Sequence, residues 1–218
     1  AEKSTLRGVH GPVANLMSTD KRCAAAIEIA LGAGMQNIVV DREEDAKSAI
    51  GFLKQRDGGR ATFLPLTAIR GDTLREAGVE REYGYVGIAS RLVRFDERYT
   101  EIFNSLLGRT VIVEDIDCGI AMARKYNNRF RIVTLDGQVL NRGGSMTGGS
   151  VSRSAGILSR ANELKELTEK QRSLTEKLAA AQREADEAKR ELTAAQYELD
   201  VARGQQRGAE DEVLKRTG

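Results

Sequence analysis

Fourteen residues, Gly137 to Ser150 (GQVLNRGGSMTGGS), hold five glycines: Gly137, Gly143, Gly144, Gly148 and Gly149. Glycine adopts positive φ readily and lets another backbone, a ligand or a second subunit approach closely. Phosphate is the first chemistry to test. A P-loop needs a lysine that reaches the β/γ-phosphates while backbone amides cradle them, in the pattern G-x-x-x-x-G-K-[ST]. Residues 143–150 contain no lysine. A dinucleotide fingerprint needs G-x-G-x-x-G after a first strand, with an acidic residue about 20 positions on, and that spacing is absent too. A loose Gly/Ser linker would not explain why Met146 and Val151 punctuate the run.

Other chemistries have little to stand on. His10 is the only histidine, in the turn-like string Gly8-Val-His-Gly-Pro12, so any Ser-His-Asp, Cys-His or His-rich zinc site would rest on it alone. It reads as structural or exposed. Cys23 and Cys118 fall in separate helical patterns with no C-x-x-C, and they read as buried small hydrophobes rather than a disulfide or metal pair. The acidic residues Asp41, Glu114, Asp115 and Asp117 follow strand-like runs. They are the best candidates for a catalytic or ligand-binding reading, but aspartate is favoured at helix N-caps on its own account. No catalytic residue and no metal site is expected.

Composition divides the 218 residues near Ser154. The first part holds nearly all the aromatics and β-branched runs, and about 150 residues suffice for a real core. The second part is dominated by Ala, Glu, Lys, Arg, Leu and Gln and cannot be globular. Residues 1–156 carry 22 Lys+Arg against 19 Asp+Glu and the rest 12 against 13, a net +2. That is too weak a balance to mark a nucleic-acid binder. No apolar run approaches 18 residues and no signal-peptide pattern is present. The start at Ala1 without Met suggests a fragment or processed form.

In order, the patterns predict a weak strand over 13–18 and a helix from Asp20 to Leu31 ended by Gly32 and Gly34. A strand at Asn37–Val40 follows, then a helix opened by an Asp41/Glu44 capping box and stopped at Asp57-Gly-Gly59, then a strand from Ala61 to Leu64. Residues 66–88 read as a connector with one short strand. A second unit then repeats the order: helix 95–107, strand 110–113, a helix from Asp115 or Asp117 to Tyr126, and a strand 131–135. The matches drift from an offset of about 76 to 70, which marks an internal duplication of a helix-strand-helix-strand module. Asp136-Gly137 predicts a two-residue hairpin, after which Gly143–Gly149 is expected to leave the sheet. The expected fold class is α/β (α+β), two related subdomains at 1–80 and 81–155, with a helical arm over 156–218.

The tail keeps a heptad throughout. Ile157, Leu164, Gln171, Leu178, Ala185, Leu192, Leu199, Gln206 and Val213 share one position, and Leu167, Leu174, Ala181, Ala188, Ala195, Ala202 and Ala209 share the other. Such a repeat defines a left-handed coiled coil. The leucines Leu164, Leu167, Leu174, Leu178, Leu192 and Leu199 form its seam, and alanine at five successive d positions admits a closely approaching partner.

Taken together, Ala26-Ile-Glu-Ile-Ala-Leu31, Gln36-Asn-Ile-Val-Val40, Gly59-Arg-Ala-Thr-Phe-Leu-Pro-Leu66 and Leu135-Asp-Gly-Gln-Val-Leu-Asn-Arg-Gly-Gly-Ser-Met-Thr-Gly-Gly149, with a coiled coil leaving directly, resemble the hinge of SMC proteins of the bacterial chromosome-partition (condensin) type. The resemblance covers nearly the whole chain. It implies a homodimerisation domain at the bend of a long antiparallel coiled coil, in which subdomain one of each protomer meets subdomain two of the other. It implies an interface at Gly137, Gly143, Gly144, Met146, Gly148 and Gly149, and auxiliary, sequence-independent DNA binding for which Arg142, Arg153, Arg160 and Arg7 are candidates, with Lys3 beside Arg7. It places ATP and Mg at head domains outside this segment, kleisin contacts elsewhere, an incoming N-terminal arm helix as the tail's partner, and the whole in the cytoplasm on the nucleoid. It implies no enzymatic activity for this segment. The competing expectation is an α/β ligand-binding or enzymatic domain oligomerised by its C-terminal coiled coil. No interleaving of aromatic and basic residues marks a platform for single strands.

Overall fold

In a computed structural model the described residues are 7–149 and 156–217. The chain divides into two units, Ala1–Glu163 and Leu164–Gly218. The first unit is built from two copies of one arrangement. Strand β1 (Val9–Pro12), a 3-10 turn, strand β2 (Met17–Thr19) and helix α1 (Ala24–Leu31) are followed by β3 (Ile38–Val40), α2 (Glu43–Gln55) and β4 (Phe63–Pro65). The second copy runs β5 (Tyr85–Ile88), a 3-10 turn, β6 (Val93–Phe95), α3 (Thr100–Leu107), β7 (Thr110–Val113), α4 (Ile116–Lys125) and β8 (Arg131–Thr134). In both copies the first strand lies antiparallel to the third, which lies parallel to the fourth.

The duplication is deeper than the predicted module. Its opening strand, 3-10 turn, second strand and first helix all recur 76 positions on, and drift begins only after α1, where a 3-10 segment (Gly32–Gln36) lengthens the first copy. Strands β2 and β6 pair with each other, Met17 with Phe95, Ser18 with Arg94 and Thr19 with Val93. Each strand therefore faces its own copy about the Ser18–Arg94 pair, a local two-fold relation. The main core crosses the same boundary: Val13, Ile27 and Val39 pack with Ile102, Phe103, Leu107 and Ile112. Each such side chain, fully removed from water, stabilises the fold by about 1.5–3 kcal/mol. Phe95 stacks on Phe103 with centroids 4.3 Å apart.

Several local expectations are corrected. Residues 13–18 are a 3-10 turn leading into β2 rather than one strand, and α1 starts at Ala24, after a turn over 21–23. At α2 the cap is supplied by Asp45, whose Oδ2 accepts from the Arg42 amide at 3.1 Å, not by Asp41 and Glu44. The segment expected to be helical from Phe95 begins as β6 and a 3-10 turn, since Asp96 caps at Arg98 before α3 can start. The strands expected at 37–40, 61–64, 110–113 and 131–135 agree within two residues at each end, whereas the turn-like string Gly8–Pro12 forms β1.

The glycine stretch also differs. The β8 hairpin has three loop residues, Leu135 to Gly137, closed by Thr134 donating its amide to Gln138 O at 2.9 Å. Gly137 occupies the positive-φ position (92°) such a loop requires. The stretch then stays in the sheet: β9 (Val139–Leu140) turns at Gly143 and Gly144 into β10 (Met146–Thr147), paired Leu140 with Met146 and Val139 with Thr147. The five-stranded order is β10-β9-β8-β7-β5, beside a three-stranded sheet β1-β3-β4. The second unit continues α5 (Ile157–Thr217), which starts in the first.

Candidate functional site

The exposed end of the larger sheet is made from the glycine stretch. Gly143 and Gly144 take φ of 88° and 97°, which only glycine enters cheaply, and the turn is fixed by Asn141 donating its amide to Ser145 O at 2.8 Å and Gly143 donating to Asn128 O at 3.2 Å. At the other end of β10, Gly148 sits against the Gln138 carboxamide, which accepts from the Gly149 amide at 3.2 Å. Met146 is 54% exposed between these two glycine pairs. Of the predicted interface residues, Gly143, Gly144, Met146, Gly148 and Gly149 thus share one open edge, while Gly137 is buried in its own loop. Among the described residues β10 pairs only with β9, and in the smaller sheet β4 pairs only with β3. Unpaired strand edges are templates for another chain.

The basic candidates occupy different elements. Arg7 precedes β1, Arg142 lies in the β9–β10 turn, and Arg160 lies in the first turn of α5; Arg153 lies outside the described residues. Sequence reasoning missed a better grouping. The Asn127-Asn128 turn ends α4 with both residues at φ 51°, and its bond to Gly143 brings the backbone of Arg142 beside that of Arg124 and Arg129, all three exposed. Their separation in sequence concealed this.

Three of the four acidic residues of the enzymatic reading are engaged in capping or ion pairs. Asp115 caps α4 through the Cys118 amide at 2.8 Å, and that bond holds its carboxyl below the usual range. Glu114 pairs with Arg22 at 3.1 Å, and Asp41 with His10. Asp117 lines a shallow cleft of about 420 Å³ with Glu82, Tyr83 and Asp115. The Asp115 carboxylate, its nearest partner, pushes the Cys118 thiol up, and burial pushes the Cys23 thiol up. Both thiols are free and buried, as expected of small hydrophobes, and neither is poised as a thiolate nucleophile.

His10 is neither isolated nor exposed. A carboxylate only accepts, so Nε2 carries the ring proton and donates to Asp41 Oδ1 at 2.8 Å, leaving Nδ1 to accept from the Tyr99 hydroxyl at 2.9 Å. Tyr99 belongs to the second copy and is 2% exposed. The histidine is therefore a bracket between the copies. Only its turn-forming neighbours were visible in sequence.

In the tail, Leu164, Leu167, Leu174, Leu178, Leu192 and Leu199 are between 50% and 67% exposed. A stripe of that length on one helix is a surface for another helix. Among the described residues no helix is long and apolar enough to cross a membrane.

Two paired copies of one arrangement, an open glycine-flanked edge and a helix leaving with a bare seam agree with what the chain is similar to. The family model for the SMC proteins Flexible Hinge Domain matches residues 6–123. The chain belongs to the SMC hinge family. It is 46% identical over 154 residues to the chromosome partition protein Smc of Bacillus subtilis, covering 69% of this chain and 13% of that protein. It is also 46% identical over 147 residues to the Smc protein of Methanocaldococcus jannaschii, covering 67% and 12%. The chain thus spans about an eighth of the curated relatives it matches. Among solved structures, an asymmetric dimer of the Geobacillus stearothermophilus SMC hinge domain superposes with a TM-score of 0.75 at 41% identity, covering 83% of this chain and 74% of that one. The Pyrococcus furiosus SMC hinge gives 0.60 at 33%, covering 72% and 80%.

Proposed function

We propose that this chain is the homodimerising hinge of a longer SMC-type protein acting in chromosome condensation and segregation. The observation that carries the reading is the exposed edge strand β10, entered from the Gly143–Gly144 turn and followed by Gly148 and Gly149, together with β4 as one edge of the smaller sheet. In a two-fold dimer each protomer's β10 meets its partner's β4, so residues 81–155 of one chain receive residues 1–80 of the other. Both contacts are then equivalent and the ring closes. Gly143, Gly144, Gly148 and Gly149 let the partner backbone approach, and Met146 supplies the apolar contact. The hinge does no chemistry; it holds two arms together while ATP and Mg act at heads elsewhere in the parent protein. The bare seam of α5 is covered by an antiparallel helix of the same parent, and kleisin binds elsewhere. The dimeric Geobacillus relative supports this reading over that of a ligand-binding or enzymatic domain.

DNA is the second partner in this reading, contacted weakly and without sequence preference on the nucleoid. Arg142 with Arg124 and Arg129 gives a basic surface next to the dimer edge, with Arg7, Arg153 and Arg160 as further contacts. Each phosphate neutralised releases counterions, so removing one contact reduces the slope of log K against log salt by about 0.9. Titrating duplex DNA at several salt concentrations with the wild type and with Arg124→Gln/Arg129→Gln/Arg142→Gln tests this. The triple variant is expected to lose about two to three units of slope; an unchanged slope removes the DNA assignment from this surface.

A further inference from the structure

The root of α5 packs against other elements of the first unit. Leu158 is 4% exposed within the main core, and Gly156 lies so close to Glu28 that a Cβ there would overlap its carboxylate. Glu28 belongs to α1, and the last turn of that helix is held from the other copy. Arg131 donates from Nη1 to Ala30 O at 2.8 Å and from Nη2 to Ile29 O at 3.3 Å. These carbonyls are among those a helix end leaves without intrahelical partners, and a cation there complements the negative end of the helix dipole.

Arg131 also opens β8, and the next residue begins a row across the sheet: Ile132 is in register with Leu140, and Leu140 with Met146. One line of contacts therefore runs from the arm root through α1 and Arg131 to the open edge. Core filling alone does not account for the arginine. Its Nε is buried without a partner, and burial holds its guanidinium below the usual range, costs that an apolar side chain would not carry.

We propose that Arg131 is a positioning residue that couples the root of the arm to the β10 edge. Displacing the root moves the last turn of α1, and the bidentate cap carries that movement into β8 and the row ending at Met146. The biological meaning rests on β10 being the dimer edge; the coupling itself does not.

The test is amide hydrogen exchange on the full chain, with Leu158→Ala as the perturbation at the root. The readout is the Asn141 amide, which donates across the β9–β10 turn, normalised to the Ile38 amide, which donates to Thr62 O at 2.8 Å in the smaller sheet. In the wild-type background Leu158→Ala is expected to raise the normalised Asn141 rate about fivefold or more, the lower range of coupling between linked sites. In an Arg131→Met background the same substitution is expected to have no effect on that ratio, and in Arg131→Lys, which keeps the charge but loses the fork, an intermediate one. Arg131→Lys carries the comparison if Arg131→Met does not fold. An equal rise in all backgrounds, or no rise in the wild type, overturns the proposal. Sedimentation of the same samples separates the two readings: a monomer showing the coupling refutes the dimer edge and leaves Arg131 in its role.

Discussion

Replacing His10 by alanine withdraws the acceptor of the Tyr99 hydroxyl, and the consequences can be worked from the exposures of the three groups. Tyr99 is 2% exposed, so an orphaned hydroxyl there costs about 1–3 kcal/mol. The Asp41 side chain is 53% exposed and hydrates in the histidine's absence, so losing this pair costs about 0–1 kcal/mol. The edge-on ring contact, with centroids 5.6 Å apart, adds about 0.5–1.5 kcal/mol. His10→Ala is therefore expected to destabilise the first unit by about 1.5–5.5 kcal/mol. Tyr99→Phe alone costs about 1 kcal/mol, since it removes a hydrogen bond but leaves only the imidazole Nδ1 unpaired. The informative quantity is the double variant. With no hydroxyl left to orphan, Tyr99→Phe added to His10→Ala is expected to raise stability by about 1–2 kcal/mol, reversing the sign it has in the wild type. Urea unfolding followed by circular dichroism, with m-values compared across the four proteins, measures this. If Tyr99→Phe destabilises in both backgrounds, another group or water satisfies the hydroxyl, and the bracket between the copies does not exist as described.

Other outcomes follow from the same reasoning. The Lys125 ammonium, from which Glu82 accepts at 2.6 Å, is the main cause holding the Glu82 carboxyl below the usual range. Because folding lowers this pKa, its stabilisation is present above the unfolded value of about 4.3 and is lost as pH falls through the folded one. Glu82→Gln should thus flatten the acid limb of a plot of Tm against pH, and an unchanged limb would contradict the assignment. Gly144→Val places a β-branched residue at φ 97°, a strain of about 1–3 kcal/mol confined to the exposed turn. Far-UV circular dichroism should stay native while the sedimenting mass halves; a native dimer would remove this turn from the interface.

Much of the fold was legible because it repeats. The match of Val113-Glu-Asp115 to Val39-Val-Asp41 and the drifting offset announced two copies, and β7 was readable to the residue because Thr110–Val113 is buried throughout, an uninterrupted β-branched run. What failed was local competition. Asp41 has the look of a cap, but its side chain is taken by His10, a contact across 31 residues that no window reveals. The second and sixth strands were hidden because Met17-Ser-Thr19 and Val93-Arg-Phe95 carry no uninterrupted β-branched run, and their pairing depends on the two copies meeting. The glycine stretch misled at its far end. Glycines at 143, 144, 148 and 149 read as departure from the sheet, whereas Gly143 and Gly144 form a turn into one more strand and only Gly148 and Gly149 lie beyond it. The grouping of Arg124, Arg129 and Arg142 was likewise a product of the turn at Asn128.

The central claim, that the hinge dimerises through its sheet edge and not through its arm, is tested most directly by sedimentation equilibrium of two full-chain variants. In one, all six seam leucines, Leu164, Leu167, Leu174, Leu178, Leu192 and Leu199, are changed to asparagine, which removes the leucine seam; in the other, Met146, 54% exposed on β10, becomes lysine. The account predicts a dimer for the seamless arm and a monomer of near-native stability for Met146→Lys, since an exposed substitution changes folding by no more than about 0.5 kcal/mol. A monomeric seam variant together with a dimeric Met146→Lys would contradict it.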